Sequence, residues 1–229
     1  MSAIFSSTTD FFSSLDTTEK VAYTLLTPAA LAPSSLPITN AISCACVVLL
    51  SGYFESYLKS LIKEYIEDIN SLAKPISSIP YSMKAKHFSG GAEALEWSAK
   101  RDRDLMSLDL SQDLCRRLAS LGLPTGYTLA WESFANTQSN PGPDTLKKLL
   151  AGLEIKGGWT AIADLSSRHG SLEIFLKSFM KMRNVCAHTG AHTTPPSGSD
   201  LLDYVDKFRC LAECIEMMFA LRYQELTLI

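Results

Sequence analysis

The scarcities in this sequence are informative. It has little excess charge: 21 lysines and arginines face 24 acidic residues, for a formal net charge of −3. A chain-wide basic coat of the kind that binds nucleic acid non-specifically is thereby excluded, whereas one local basic site is not. Long apolar runs are missing. The best, Ala41 to Leu50, is shorter than the roughly 20 residues a bilayer span needs and reads as a buried helix. The first ten residues show no basic stretch followed by an apolar one, so no secretory leader is expected. The six cysteines, Cys44, Cys46, Cys115, Cys186, Cys210 and Cys214, contain no C-x-x-C pair. Zinc is therefore not expected, and no other metal or cofactor is implied. A chain of 229 residues can bury a core without disulfide staples. Free buried thiols in a reducing cytoplasm are the expectation.

What is present is apolar residue at helical spacing. Hydrophobic residues make up 46% of the chain, and the mean hydropathy is +0.08, as in globular proteins. No segment alternates in the manner of a strand. The best periodic segment runs from about Ile38 to Ala73, with Pro37 before it, Thr39 or Asn40 as caps and Pro75 after it. Before it, Thr17 to Leu31 reads as a weaker helix interrupted near Pro28. Residues 74–90 read as loop, with Pro75, Pro80, Gly90, Gly91 and several serines. Residues 91–121 read as two shorter helices ending at Gly122. Asn140-Pro141-Gly142-Pro143 is a turn, with Asp144 capping a helix to Leu153, and Gly157-Gly158 is a break. A further helix starts near Ser171 and ends around His188 to Gly190, where glycine suits a left-handed cap. The last long helix covers about Asp200 to Gln224. The three strong amphipathic helices must pair their apolar stripes, which predicts an all-α bundle. Residues 1–36 are expected to be an N-terminal extension with a short helix. Residues 37–229 form one domain carrying an insertion at about 74–168.

Chemistry concentrates at Met182-Arg183-Asn184-Val185-Cys186-Ala187-His188. Arginine offers a fixed fork of donors that matches phosphate. Histidine exchanges protons near neutral pH. Asparagine can orient either. A five-residue step turns about 140° on a regular helix. Arg183 and His188 therefore meet only if the helix ends or tightens near His188, or if a symmetric partner supplies half the site. By spacing alone the pair is a weak signal, and a helix-end histidine is ordinarily explained by the helix dipole. Lys84, Lys86, Lys100, Arg101, Arg103, Arg116 and Arg117 could track an RNA backbone. They interleave with Glu96, Asp102 and Asp104, which reads as a solvated face. Trp97, Trp131 and Trp159 read as core. His192 follows the motif in a loop and could assist it.

The pattern R-N-x-x-x-H, ending an amphipathic helix ahead of a long final helix, resembles the HEPN superfamily and its R-x4-6-H signature. Three more stretches resemble HEPN families of prokaryotic toxin–antitoxin and phage-defence systems: Val47 to Lys59, Asn136 to Pro141 with Leu146-Lys147-Lys148-Leu149, and Asp203-Tyr204-Val205. The resemblance spans about residues 40–225. It implies a HEPN-like helical bundle and a metal-independent endoribonuclease that works as a cytoplasmic homodimer with a composite active site. On that resemblance Arg183 binds the scissile phosphate, His188 acts as general base or acid, and Asn184 orients the pair or binds phosphate. Glu55, on the first long helix, is a supporting candidate that could pair with Arg183 or fix a histidine tautomer. RNA is the implied substrate, and an antitoxin or other defence-system protein the implied partner. The alternative is a non-catalytic HEPN module that binds RNA or nucleotide, or scaffolds a complex.

Overall fold

The computed structural model describes residues 5–106, 108–123, 126–137, 140–166, 169–190 and 192–228. The described residues form eight α-helices and two 3-10 turns, with no strand. The helices are α1 (Ser6–Leu25), α2 (Leu36–Ser71), α3 (Tyr81–Leu105), α4 (Asp109–Ser120), α5 (Pro143–Gly152), α6 (Gly158–Leu165), α7 (Leu172–Thr189) and α8 (Gly198–Leu228). The expected all-α bundle is what the chain adopts.

The 36-residue α2 is the central helix, packed against α1, α7 and α8. It is apolar round much of its circumference, as a helix with neighbours on several sides must be. Among the described helices α2 alone has the length and composition of a membrane span. Its apolar residues Leu50, Phe54, Leu58, Leu61, Ile62 and Ile66 lie in the bundle core. Aromatic rings knit the bundle together at mid-height. Phe11 of α1 stacks on Tyr57 of α2 with centroids 4.8 Å apart. Phe208 of α8 meets Phe179 of α7 edge-on at 4.8 Å.

Several elements depart from their sequence-based expectations. The helix anticipated from Thr17 to Leu31 runs instead from Ser6 to Leu25. Its first half is rich in Ser and Thr, which ordinarily compete with helix. Here Ser13, Ser14 and Thr17 return their hydroxyls to carbonyls four residues back. Phe11, Leu15, Ala22 and Leu25 bury the inner face in the shared core. Acidic side chains from distant helices cap the N-terminus of α1. Glu216 accepts from Phe5 N at 2.9 Å, and Glu64 accepts from Ser6 N and Ser7 N at 2.9 and 3.1 Å.

The segment expected to be loop at 74–90 is mostly helix, because α3 begins at Tyr81 directly after Pro80. Gly90 and Gly91 mark a close approach and not a break. A Cβ on Gly90 would sit 1.9 Å from the Ser133 carbonyl oxygen, in the 3-10 turn Trp131–Ser133. Asp102, expected on a solvated face, is buried and accepts from Leu110 N and Ser111 N at the start of α4. Asn70 of α2 grips Leu129 through both its amide groups, at 3.0 and 2.8 Å, and so ties the insertion to the bundle. The break expected at Gly157-Gly158 is present, between the end of α5 at Gly152 and the start of α6 at Gly158. All six cysteines are free. Five are buried, and Cys115 departs from expectation by being exposed.

Candidate functional site

The helix bearing the motif is well delimited. The Ser171 hydroxyl accepts from Ile174 N at 3.2 Å at its start. Gly190 ends it with φ +66°, its N–H bonded to Cys186 O at 3.0 Å. That glycine is required there because the left-handed region is strained for side chains with a Cβ. Between these limits the helix is regular to Thr189, so it neither ends before nor tightens at His188. The left-handed stop at Gly190 falls two residues beyond His188, so both residues lie on regular helix. The two residues stay about 140° apart round α7.

α7 lies antiparallel to α2. Ser51 of α2 donates to Met180 Sδ at 3.9 Å, and seven residues earlier on α2 Cys44 meets Cys186, six residues further along α7. Burial, with a hydrogen bond to Cys44 added, pushes the Cys186 thiol up to about 12. Such a thiol is inert near neutral pH. Glu55 lies four residues beyond Ser51 on α2 and Arg183 three beyond Met180 on α7, so their backbones stand about 10 Å apart along the seam. Each Cα–Cβ bond tilts towards its own helix N-terminus, which leans these two side chains back towards one another.

Arg183 is half-buried, and its Nη1 donates to Asn184 Oδ1 at 3.1 Å. Glu55 has a side chain only 16% exposed and accepts on Oε1 from Lys59 Nζ at 2.6 Å and from Thr137 Oγ1 at 2.7 Å. Burial opposes its ionisation. The hydrogen bonds from Lys59 and Thr137 and the charges of Lys59 and Arg183 outweigh burial and hold the carboxyl below the usual glutamate range. Glu55 is thus ionised, with the charge of Arg183 among the influences that keep it so.

His188 is exposed in the last turn of α7, where the dipole favours a cation. His192 lies four residues on, beyond the Gly190 cap. Its Nδ1 is engaged by Thr194 at 2.8–3.3 Å. The H-x-x-x-H spacing of this pair straddles a helix end, so the two rings do not share a helix face. Among the described residues no group of three or more His, Cys, Asp or Glu is gathered for a metal.

Two contributors escaped sequence reasoning. Lys59 stands four residues after Glu55 on the same helix, a readable spacing. Thr137 sits 82 residues from its partner, and nothing local marks it. The Asn136–Pro141 stretch does reach the site, though Gln138 and Ser139 lie outside the described residues. The basic residues of the insertion do not join it as a group. Arg117 forks onto Glu132 with two 2.7 Å bonds and also meets Asp113. Trp131 and Trp159 pack on the core, but Trp97 is 64% exposed, with Lys100 over its ring. A cavity of about 440 Å³ is lined by Trp159, Ser166, His169 and the α7 N-terminus, at the opposite end of α7 from the motif.

Near the motif, α2 shows an uncovered apolar stripe. Ile38 (67% exposed), Ile42 (38%) and Leu49 (50%) recur at heptad-like spacing with exposed Ala41 and Ala45 between them. Exposed Val185 belongs to the stretch of α7 that packs beside this part of α2.

An all-α bundle of this order, with an R-N-x-x-x-H helix ahead of the final long helix, defines a HEPN-type domain. The chain belongs to the RiboL-PSP-HEPN family, whose family model matches residues 26–218. No curated protein and no solved structure matches it. HEPN domains are often ribonucleases, and membership makes this chain an RNA-related module. The match begins at residue 26, directly after α1.

Proposed function

We propose that the protein is a metal-independent endoribonuclease that acts as a toxin or defence effector in the cytoplasm. The observation that carries the reading is Arg183, steadied by Asn184 beside ionised Glu55, with His188 exposed at the end of the same helix. Arg183 provides a fixed cationic fork for the scissile phosphate and for the charge that grows on it. His188 takes the proton from the 2′-hydroxyl, whose oxygen then attacks phosphorus. The bond from phosphorus to the 5′-oxygen breaks, and that oxygen takes a proton from water while the His188 imidazolium returns its own to solvent. The products carry 2′,3′-cyclic phosphate and 5′-hydroxyl ends. DNA lacks the attacking hydroxyl and resists.

The site is completed by a second copy. One chain holds Arg183 and His188 on different faces of α7, so a two-fold pairing is needed to bring the arginine of one to the histidine of the other. The exposed stripe Ile38, Ile42 and Leu49 supports a homodimer face beside the motif. An antitoxin or defence-system partner would restrain the activity. The separation of Arg183 and His188 within a chain favours a second reading as well: a monomer would bind RNA or nucleotide through Arg183 without turnover.

The test is incubation of purified protein with total RNA in EDTA, with product ends mapped. Wild type should leave cyclic phosphate ends. Arg183→Ala and His188→Ala should each lose at least about 100-fold in rate. Cleavage absent, or unchanged in both variants, refutes the assignment.

A further inference from the structure

α3 carries an apolar seam that the described residues leave uncovered. Tyr81, Ala85, Phe88, Ala92, Leu95 and Ala99 follow one another at alternating steps of four and three residues. That is the spacing of a coiled-coil contact stripe, and it runs about 28 Å along the helix. The inner side of α3 packs on α4 and on the 3-10 turn Trp131–Ser133. The seam faces outward instead. Tyr81 is 83% exposed and Phe88 54%, the three alanines are exposed, and Leu95 is half-buried. Read as loop followed by short helices, this stretch shows no stripe. It emerges because Tyr81–Leu105 is one helix.

The sizes along the seam are as specific as the spacing, since large and small side chains alternate from Tyr81 to Ala99. Two copies aligned in parallel would set ring on ring and alanine on alanine, which leaves overpacked layers beside gaps. An antiparallel pair centred at the level of Gly90 matches every layer. Tyr81 comes opposite Ala99 of the second copy, Ala85 opposite Leu95 and Phe88 opposite Ala92, and the two-fold repeats each match. At the edges Lys84 then faces Ser98 and Glu96 faces Ser82, so no like charges meet. None of the six seam residues is charged, which disfavours a phosphate backbone as the occupant. Tyr81 and Phe88 together expose about 250 Å². With the rest of the seam and its edges, a pair would bury roughly 1,000 Å² in total, near the lower bound of a specific interface. The helix is already formed within the domain, so pairing orders only side chains.

We propose that the α3 seam is a self-association surface whose partner is a second copy of this chain, joined antiparallel through α3. The surface is separate from the α2 stripe beside the motif, and it does not depend on the ribonuclease reading. Where the α2 stripes pair as well, each chain has two isologous contacts, and dimers are joined into a tetramer or an open string.

The test reads the mass of the full chain by light scattering over a dilution series. Wild type should lose mass on dilution, as an interface of this size implies. Ala92→Phe sets ring against ring in the central layers and should lower the mass at least twofold at a concentration where wild type is associated. Phe88→Ala combined with Ala92→Phe in one chain exchanges large and small within the same layers and should restore it. Both positions are exposed, so these changes leave the core alone. Orientation is read by oxidation in a Cys115→Ser background, which removes the one exposed thiol. Phe88→Cys with Ala92→Cys should cross-link, whereas Ala92→Cys alone, which only a parallel pair would join, should not. A wild type that is monomeric throughout, a mass unmoved by Ala92→Phe, an exchange that fails to restore it, or linkage through the single cysteine overturns the proposal.

Discussion

Asn184 accepts from Nη1 of Arg183, and the charge of Glu55 lies across the α2–α7 seam. Long arginine side chains lose considerable freedom when ordered, and two polar neighbours reduce what remains to be lost on binding phosphate. Glu55 makes a pH-dependent contribution of definite sign. Its carboxyl titrates below the usual range in the folded chain, so its stabilising charge is present above that range. The contribution is lost as pH falls through the lowered folded value. Urea unfolding of wild type and Glu55→Gln should therefore differ by a constant amount above about pH 5 and converge as the medium becomes more acid. A difference that grows on acidification would contradict the assignment.

At the scale of elements, the helices most legible in the sequence are those whose periodicity is long and whose ends are marked. The Ser171 cap and the Gly190 stop bound α7 almost where the residues imply, and α2 and α8 lie within a few residues of expectation. The failures share a physical cause: the deciding partner is far away in sequence. α1 looks too rich in hydroxyls for a long helix, yet Glu64 and Glu216 cap it and the core takes its inner face. Gly90 and Gly91 resemble loop residues because the turn they must clear lies at Ser133. Gly90→Ala tests this reading. On an open helix face the change would stabilise by about 0.5–1 kcal/mol. Here the methyl meets the Ser133 carbonyl oxygen, and a loss of about 2 kcal/mol is expected from overpacking, read by chemical denaturation. The candidate site divides likewise. Arg183, Asn184 and His188 were readable as a motif, and Glu55 through the resemblance. Thr137 was visible only once its hydroxyl was seen against Glu55 of α2.

For the whole molecule, an excess of three negative charges and a HEPN-type bundle are compatible with RNA chemistry confined to one place. Most basic residues of the insertion are dispersed or engaged with acids, Arg117 most firmly. A shared site would double the Arg183 charge on the two-fold axis without making the surface basic. The apolar stripe along α2 lies beside the motif helix, where a second copy would need to approach.

The composite site is tested most directly by mixing Arg183→Ala protein with His188→Ala protein under conditions that allow subunits to exchange. Each variant alone should be inactive on RNA in EDTA. A mixed dimer retains one site with an intact arginine from one chain and an intact histidine from the other. An equal mixture should thus recover about a quarter of wild-type cleavage, since half the dimers are mixed and each carries one good site of two. A mixture as inactive as its components, beside an active wild type, would contradict the shared site.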